Sequence, residues 1–197
     1  MDRRSFLTTV TLTAAALAVR RTASASQDVE YLQALERAQR DRPSVLSSNG
    51  RIAPKGEPGV PFVIHGRVFR ADGRTPAPDI IVFGYHTDAT GRYDAPAAGP
   101  HSWRLRGWVR TDADGQFEFT TIRPAPYPNG KAAAHVHLTV EGAGVPRQDA
   151  GLVFEDDPLV TAAERQASAK AGRFGTVRPV EIRGGVQHMT LDIRIAG

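Results

Sequence analysis

After residue 60 the chain consists mainly of short runs in which apolar and polar residues alternate. The clearest run covers residues 187–195, where the apolar residues at 189, 191, 193 and 195 alternate with polar residues from 188 onward. Neighbouring side chains of a β-strand point to opposite faces, so this pattern predicts a strand with one buried face. Comparable runs occur at 62–70, 79–85, 103–110, 116–122, 135–140, 151–154 and 176–183. Turn residues separate the runs, so the pattern predicts an all-β fold, an antiparallel β-sandwich of about eight strands over residues 61–197.

Two segments carry a helical pattern instead. Residues 29–39 place apolar residues three or four positions apart, and residues 158–171 are rich in alanine. This spacing predicts a short N-terminal helix and one short helix near residues 158–171. The prolines between residues 42 and 61 disfavour regular structure, so residues 26–60 are interpreted as the N-terminal helix followed by a proline-rich arm.

The net charge of +4 comes mainly from the N-terminus. The whole chain of 197 residues has 25 basic and 21 acidic residues. Four arginines and one aspartate precede residue 26, which leaves 21 basic and 20 acidic residues in the remainder. A nearly neutral domain lacks the excess of positive charge that nucleic acid binding requires, so the sequence argues against a nucleic acid partner.

The first 25 residues are interpreted as an export signal. Arg3 and Arg4 precede an apolar stretch that ends at Val19, and Ala23-Ser24-Ala25 follows as a small-residue cleavage pattern. This segment resembles the signal of the twin-arginine route, which implies an exported protein, periplasmic or extracellular. The apolar stretch is too short for a stable membrane anchor, and the chain has no cysteine for a lipid anchor or a disulfide. The alternative is a basic terminal tail without a targeting role.

A possible metal site lies in residues 127–137. His135 and His137 are two residues apart on a predicted strand, so both imidazoles can face one metal while Val136 packs into the core. Two exposed histidines on a polar strand face would give the same pattern, so the pair alone leaves both interpretations open. Tyr127 precedes the pair in a proline-rich loop that restricts where the phenol can point.

Four sequence segments together resemble the intradiol ring-cleavage dioxygenases, over residues 61–157. The segments are Tyr85 to Tyr93, Leu105 to Asp112, Thr121 to Pro128 and Ala134 to His137. The resemblance implies that Tyr93, Tyr127, His135 and His137 bind Fe(III). It also implies an aromatic substrate with two adjacent hydroxyls, which displaces hydroxide and the second tyrosine from the iron, and this tyrosine helps to accept the substrate protons. Tyr93 and Tyr127 are therefore the expected catalytic residues. Both atoms of O2 would enter a ring-opened dicarboxylate.

The chemistry of this ligand set agrees with ferric iron. Phenolate oxygen is a hard, strongly donating anion that suits a trivalent ion, and imidazole tolerates iron. Two phenolates and a hydroxide would balance the three charges of Fe(III) in a pocket of low dielectric. The sequence offers no glycine-rich dinucleotide loop, so no organic cofactor is expected.

Two positions depart from the family pattern. The family has an arginine and a glutamine near the substrate, where this chain has Ala132 and Gly151. Such changes around a metal site alter reactivity without abolishing metal binding. Arg106, Lys131 or Gln148 could substitute as substrate contacts, although each could equally be a polar side chain without a role.

Three classes of function remain open from the sequence. The first is an exported ferric dioxygenase acting on a catechol-type aromatic with O2. The second is a metal-binding or carbohydrate-associated β-sandwich that keeps the iron but lacks ring-cleavage activity. The third is an exported structural or adhesion module in which the four residues are coincidental. An acidic run at residues 155–157 is interpreted as a solvated strand end rather than a cation site. Whether the chain forms a homo-oligomer is left open.

Overall fold

The structure is a computed structural model that describes residue 33, residues 36–93 and residues 103–196. In this part of the chain two five-stranded sheets have the strand orders β1-β5-β2-β10-β9 (sheet A) and β4-β3-β6-β7-β8 (sheet B). The strands are β1 Asn49–Arg51, β2 Pro61–Phe69, β3 Ile81–Tyr85, β4 Arg106–Arg110, β5 Gln116–Ile122, β6 His135–Gly142, β7 Val145–Phe154, β8 Val177–Arg178, β9 Glu181–Arg183 and β10 Val186–Arg194.

The predicted all-β class is confirmed, but the prediction of purely antiparallel sheets is wrong. Three pairs are parallel, namely β1 with β5, β10 with β2, and β7 with β8. Alternation of apolar and polar residues is the same in parallel and antiparallel strands, so the pattern could not distinguish them. The direction depends on where each strand enters the sheet. The turn at Gly184-Gly185 reverses the chain after β9 and sends β10 along β2.

The core lies between the two sheets and is built from one face of each strand. On β10 the side chains of Met189, Leu191 and Ile193 are buried, and on β6 those of Val136 and Leu138 are buried. Burial of such apolar side chains is the main driving force for joining two sheets. The other face of β6 is therefore turned away from the core.

The helix Ala162–Ala171 confirms the predicted helix near residues 158–171. Its start is fixed by a capping box, because the Thr161 hydroxyl accepts a hydrogen bond from the Glu164 amide while the Glu164 carboxylate accepts one from the Thr161 amide. Gly172, with a positive φ of 61°, ends it.

The chain divides into two compact units, residues 1–41 and residues 42–197. Within the first unit, residues 36–40 are helical, which agrees with part of the helix predicted for residues 29–39. The predicted export signal lies outside the described residues. Within the second, the predicted arm contains strand β1, which extends sheet A beside β5. Among the described residues, no helix is both long enough and apolar enough to cross a membrane.

Candidate metal centre

Strand β6 presents two imidazoles on the face of sheet B that is turned away from the core. His135 and His137 are partly buried there, and Val136 between them is fully buried on the opposite face. Alternation along one strand therefore places both rings on one side, as the sequence predicted.

Two phenols meet these imidazoles. The Tyr127 hydroxyl lies 2.6 Å from the Tyr93 hydroxyl, 3.1 Å from Nε2 of His135 and 3.3 Å from Nε2 of His137. The two Nε2 atoms are 2.9 Å apart. The structure thus brings together the four residues predicted to bind metal, with every donor atom within hydrogen-bond distance of at least one other.

Both histidines present a nitrogen that is available to a cation. His135 Nδ1 lies 2.7 Å from the Ala133 carbonyl oxygen and must donate to it, which leaves the lone pair of Nε2 facing the other donors. Burial, with a smaller contribution from His135, lowers the pKa of His137 to about 4. His137 is consequently neutral near pH 7, the state in which imidazole binds metals.

Aromatic rings hold His137 in place. The Tyr85 ring stacks on the His137 ring with a centroid separation of 4.7 Å. The Trp103 ring also stacks on Tyr85, with a centroid separation of 4.4 Å. Tyr85 is directly opposite His137 in the β3–β6 register. Because Tyr85 and Trp103 are almost fully buried, they restrict the imidazole to one orientation.

The loop that carries Tyr93 is organised by Asp88. One carboxylate oxygen of Asp88 accepts hydrogen bonds from the amide and the hydroxyl of Thr90 and from the amide of Arg92. Burial alone would raise the pKa of Asp88, but these hydrogen bonds outweigh burial and lower it. The charged carboxylate therefore closes the turn just before Tyr93.

The two tyrosine loops are also joined directly. The Thr87 hydroxyl donates to the Ala125 carbonyl at 2.7 Å, and the Ala125 amide donates to the Asp88 carbonyl at 3.0 Å. Gly91, with a φ of 80°, lies so close to Pro126 that an added Cβ would be 2.1 Å from the Pro126 carbonyl oxygen. Only glycine fits this contact, which sets the spacing of the two phenols.

Asp157 is a positioning residue that the sequence interpretation missed. It is 4% exposed, so its assignment to a solvated strand end is wrong. Its carboxylate accepts hydrogen bonds from the Ala134 amide at 2.9 Å and the Leu159 amide at 2.8 Å, which fixes the start of β6 next to His135. Asp156 beside it forms a bidentate pair with Arg123, both distances being 2.8 Å. An acidic residue three positions after the last apolar residue of the strand, Phe154, was the available sequence signal.

The donor set fits a hard trivalent cation. No group of three or more His, Cys, Asp or Glu side chains gathers into a metal site within the described ranges. The two phenols complete the set, and as phenolates they would supply the anionic oxygen that Fe(III) prefers. Soft metals would favour thiolates, and the chain has no cysteine.

The three predicted substrate contacts occupy different places. Arg106 is in register with Tyr85 and so lies two strands from His137 on the same face, where its guanidinium donates to the Trp103 carbonyl. Lys131 is exposed in the loop before β6. Gln148 is in register with the core residue Val140, and therefore faces away from the metal centre.

The carboxamide of Gln148 has a structural role. It donates to the Arg194 carbonyl at 2.9 Å and accepts from the Ala196 amide at 2.7 Å. These hydrogen bonds connect β7 with the end of β10, which ties the two sheets together.

Comparison with known proteins identifies the family. A family model described as "Dioxygenase" matches residues 33–197. A catechol 1,2-dioxygenase from Acinetobacter lwoffii is 32% identical over 127 residues, which cover 55% of this chain and 40% of that protein. The chain belongs to the intradiol ring-cleavage dioxygenase family. Members of this family generally use Fe(III). The chain spans about half the length of the curated relatives that it matches.

Solved structures of intradiol dioxygenases share the fold. The dioxygenase domain of a dioxygenase–carbohydrate-binding protein fusion from Streptomyces sp. SirexAA-E is 23% identical, with a TM-score of 0.57, covering 78% of this chain and 93% of that one. The 3-chlorocatechol 1,2-dioxygenase from Rhodococcus opacus 1CP is 17% identical, with a TM-score of 0.60 and 98% of both chains covered. At these identities the likeness establishes the fold.

The two departures from the intradiol pattern lie close to the metal centre in sequence or register. Gly151 is directly opposite His137 in the β6–β7 pair. A Cβ added at Gly151 would meet only the Val136 carbonyl oxygen, at 3.8 Å, so the position has room for a larger side chain. Ala132 is partly buried three residues before His135.

Proposed function

We propose that this chain is an exported non-haem Fe(III) dioxygenase that opens the ring of a catechol-type aromatic between its two hydroxyl-bearing carbons, with both atoms of O2 entering the product. The observation that carries the proposal is the convergence of four donor atoms: the Tyr127 hydroxyl lies 2.6 to 3.3 Å from those of Tyr93, His135 and His137, and the two Nε2 atoms are 2.9 Å apart. Family membership supports the same reaction class.

The four residues would hold the ferric ion. When bound, Fe(III) supplies Lewis acidity that draws electron density from the substrate ring and makes it reactive towards O2. Tyr93 and His137 are held by the aromatic cluster around Tyr85, and His135 by the Ala133 carbonyl. A preorganised set of this kind needs little reorganisation when substrate binds.

Tyr127 is the residue best placed to move a proton. Its hydroxyl lies within hydrogen-bond distance of each of the other three donors. A phenolate at this position can accept a proton from a substrate hydroxyl, because phenols exchange protons with groups of similar pKa at little cost.

Ala132 and Gly151 favour one alternative within the same family. Without the arginine and glutamine that these positions have in other members, the protein would bind iron but lack ring-cleavage activity. Both functions require the metal centre, and they differ in whether the aromatic ring is cleaved. Separate measurements of iron binding and of ring cleavage therefore distinguish them.

The first experiment tests the metal centre. The full chain is expressed with iron, and iron content and visible absorption are compared for the wild type, Tyr127→Phe and Tyr85→Phe. Charge transfer from phenolate to Fe(III) gives a red colour, so Tyr127→Phe should lose or shift the absorption. Tyr85→Phe should keep it, because Tyr85 contributes ring packing. A colourless wild type without iron would contradict the proposal.

The second experiment tests the reaction. Oxygen uptake and ultraviolet absorption of the product are followed with a panel of catechols and the iron-loaded wild type. Stoichiometric consumption of O2 together with formation of a ring-opened dicarboxylate supports the dioxygenase proposal. A red protein that consumes no O2 with any of them identifies the iron-binding alternative. Export is tested separately, since replacing Arg3 and Arg4 by lysine should retain the protein in the cytoplasm.

A further inference from the structure

A groove lies at the end of sheet B remote from the metal centre. Ile81, Arg110 and Glu141 are in register across β4, β3 and β6 and line it, whereas Tyr85 and His137 lie at the other ends of β3 and β6. The groove has a volume of about 420 Å³. This volume is within the usual range for sites that bind small molecules.

Four arginines line the groove: Arg42, Arg70, Arg110 and Arg147. Two carboxylates, Asp79 and Glu141, are also in the lining, so two positive charges remain uncompensated. Buried or partly buried charge of one sign attracts ligands of the opposite sign, and low-dielectric walls strengthen the attraction.

The carboxylate of Glu141 is shared between two of the arginines. It pairs with Arg42 at 2.9 Å and with Arg147 at 3.5 Å. Among the residues that the structure describes, the side chains of Arg70 and Arg110 have no ion pair or hydrogen bond to a carboxylate. The guanidinium groups of Arg70 and Arg110 are therefore not occupied by a carboxylate of the protein.

The rest of the lining is apolar. Pro78, Ile80, Ile81, Ala143 and Val145 contribute to it, and Ile80 is almost fully buried. An inorganic anion gains nothing from such a surface, whereas a ligand with a hydrocarbon body removes apolar area from water. Charge and surface together describe a ligand with an organic body and two negative charges.

We infer that this groove binds a small organic dicarboxylate, with the Arg70 and Arg110 guanidinia each available to one carboxylate. Guanidinium is planar and always charged, and it can donate two parallel hydrogen bonds to a carboxylate. The inference uses no residue of the metal centre and does not depend on the proposed reaction.

Isothermal titration calorimetry with three probes tests the chemistry of the ligand. Adipate has two carboxylates on a short hydrocarbon chain, hexanoate has one carboxylate on a chain of the same length, and inorganic phosphate has no hydrocarbon. At matched ionic strength, adipate should bind at least roughly tenfold more tightly than either of the others, since one charge-assisted contact is lost in hexanoate. Equal affinity for adipate and hexanoate, or for adipate and phosphate, would overturn the inference.

Variants of the full chain test the site. Arg70→Gln and Arg110→Gln should each weaken adipate binding roughly tenfold. Arg183→Gln removes the same charge from the exposed strand β9, where Arg183 pairs with Glu181, and should leave binding unchanged. Adipate binding should also persist in Tyr127→Phe, which separates the groove from the metal centre. Unchanged affinity in both groove variants, or loss in Tyr127→Phe, would show that adipate binds elsewhere.

Discussion

His86 makes the stability of this fold depend on pH. Its ring is fully buried between the two sheets; Nδ1 lies 2.6 Å from the Thr87 carbonyl oxygen and Nε2 lies 2.6 Å from the Thr121 hydroxyl. Burial lowers the pKa of His86 from 6.5 to about 4. The neutral ring donates to the Thr87 carbonyl and accepts from the Thr121 hydroxyl, whereas a second proton would place a positive charge in a site shielded from water.

The sign and size of the effect follow from proton linkage. Between pH 6.5 and about pH 4 the unfolded chain binds a proton at His86 and the folded chain does not. The free energy of unfolding therefore falls as the pH falls through this range. For these two pKa values the loss is about 2 kcal/mol at about pH 5 relative to about pH 8.

The perturbation is His86→Gln, which keeps a neutral polar side chain but cannot titrate. Urea unfolding, followed by tryptophan fluorescence, gives the free energy of unfolding of both proteins at several pH values and the same iron loading. The free energy of unfolding of the wild type minus that of the variant should decrease by about 2 kcal/mol between about pH 8 and about pH 5. The contributions of other titrating groups cancel in this difference. If the free energies of unfolding of the two proteins change with pH in parallel, within about 0.5 kcal/mol, the assignment of a depressed pKa to His86 is refuted.

Two further predictions concern the loops and the open position beside the metal. Gly91→Ala should destabilise the fold by at least about 2 kcal/mol in urea unfolding and lower the iron content, since its Cβ collides with Pro126. Gly130→Ala, also at positive φ but in open space, should cost only about 1 kcal/mol and keep the iron; equal effects would contradict the contact argument. Gly151→Gln should fit without loss of stability and raise kcat/KM for a catechol roughly fivefold through one added hydrogen bond, whereas Gly151→Leu should not. A similar rise in both variants would exclude the carboxamide as the cause.

Much of the β-structure could be predicted because alternation is a local property. The run at residues 116–122 coincides with β5, and the run at 187–195 overlaps β10 Val186–Arg194. Strand β1 escaped prediction because three residues among prolines carry too little pattern to indicate a strand. Its conformation depends on the backbone of β5, to which it is hydrogen bonded, and that partner lies about 70 residues away.

The sequence by itself determined which groups are available at the candidate metal centre. The spacing of His135 and His137 requires one shared face on any β-strand, and the absence of cysteine excludes thiolate ligands. Tyr127 was indicated by its proline-rich loop just before the histidines, but Tyr93 entered only through resemblance to the family, because nothing in the local pattern relates two loops 34 residues apart.

Only the tertiary structure decided which groups meet. The 2.6 Å approach of the Tyr93 and Tyr127 hydroxyls depends on the contact of Gly91 with Pro126, and the position of His135 depends on the buried carboxylate of Asp157. Contacts between distant segments are set by the packing of the two sheets, which no single segment encodes. For the same reason Gln148, a plausible substrate contact in the sequence, faces the other sheet instead.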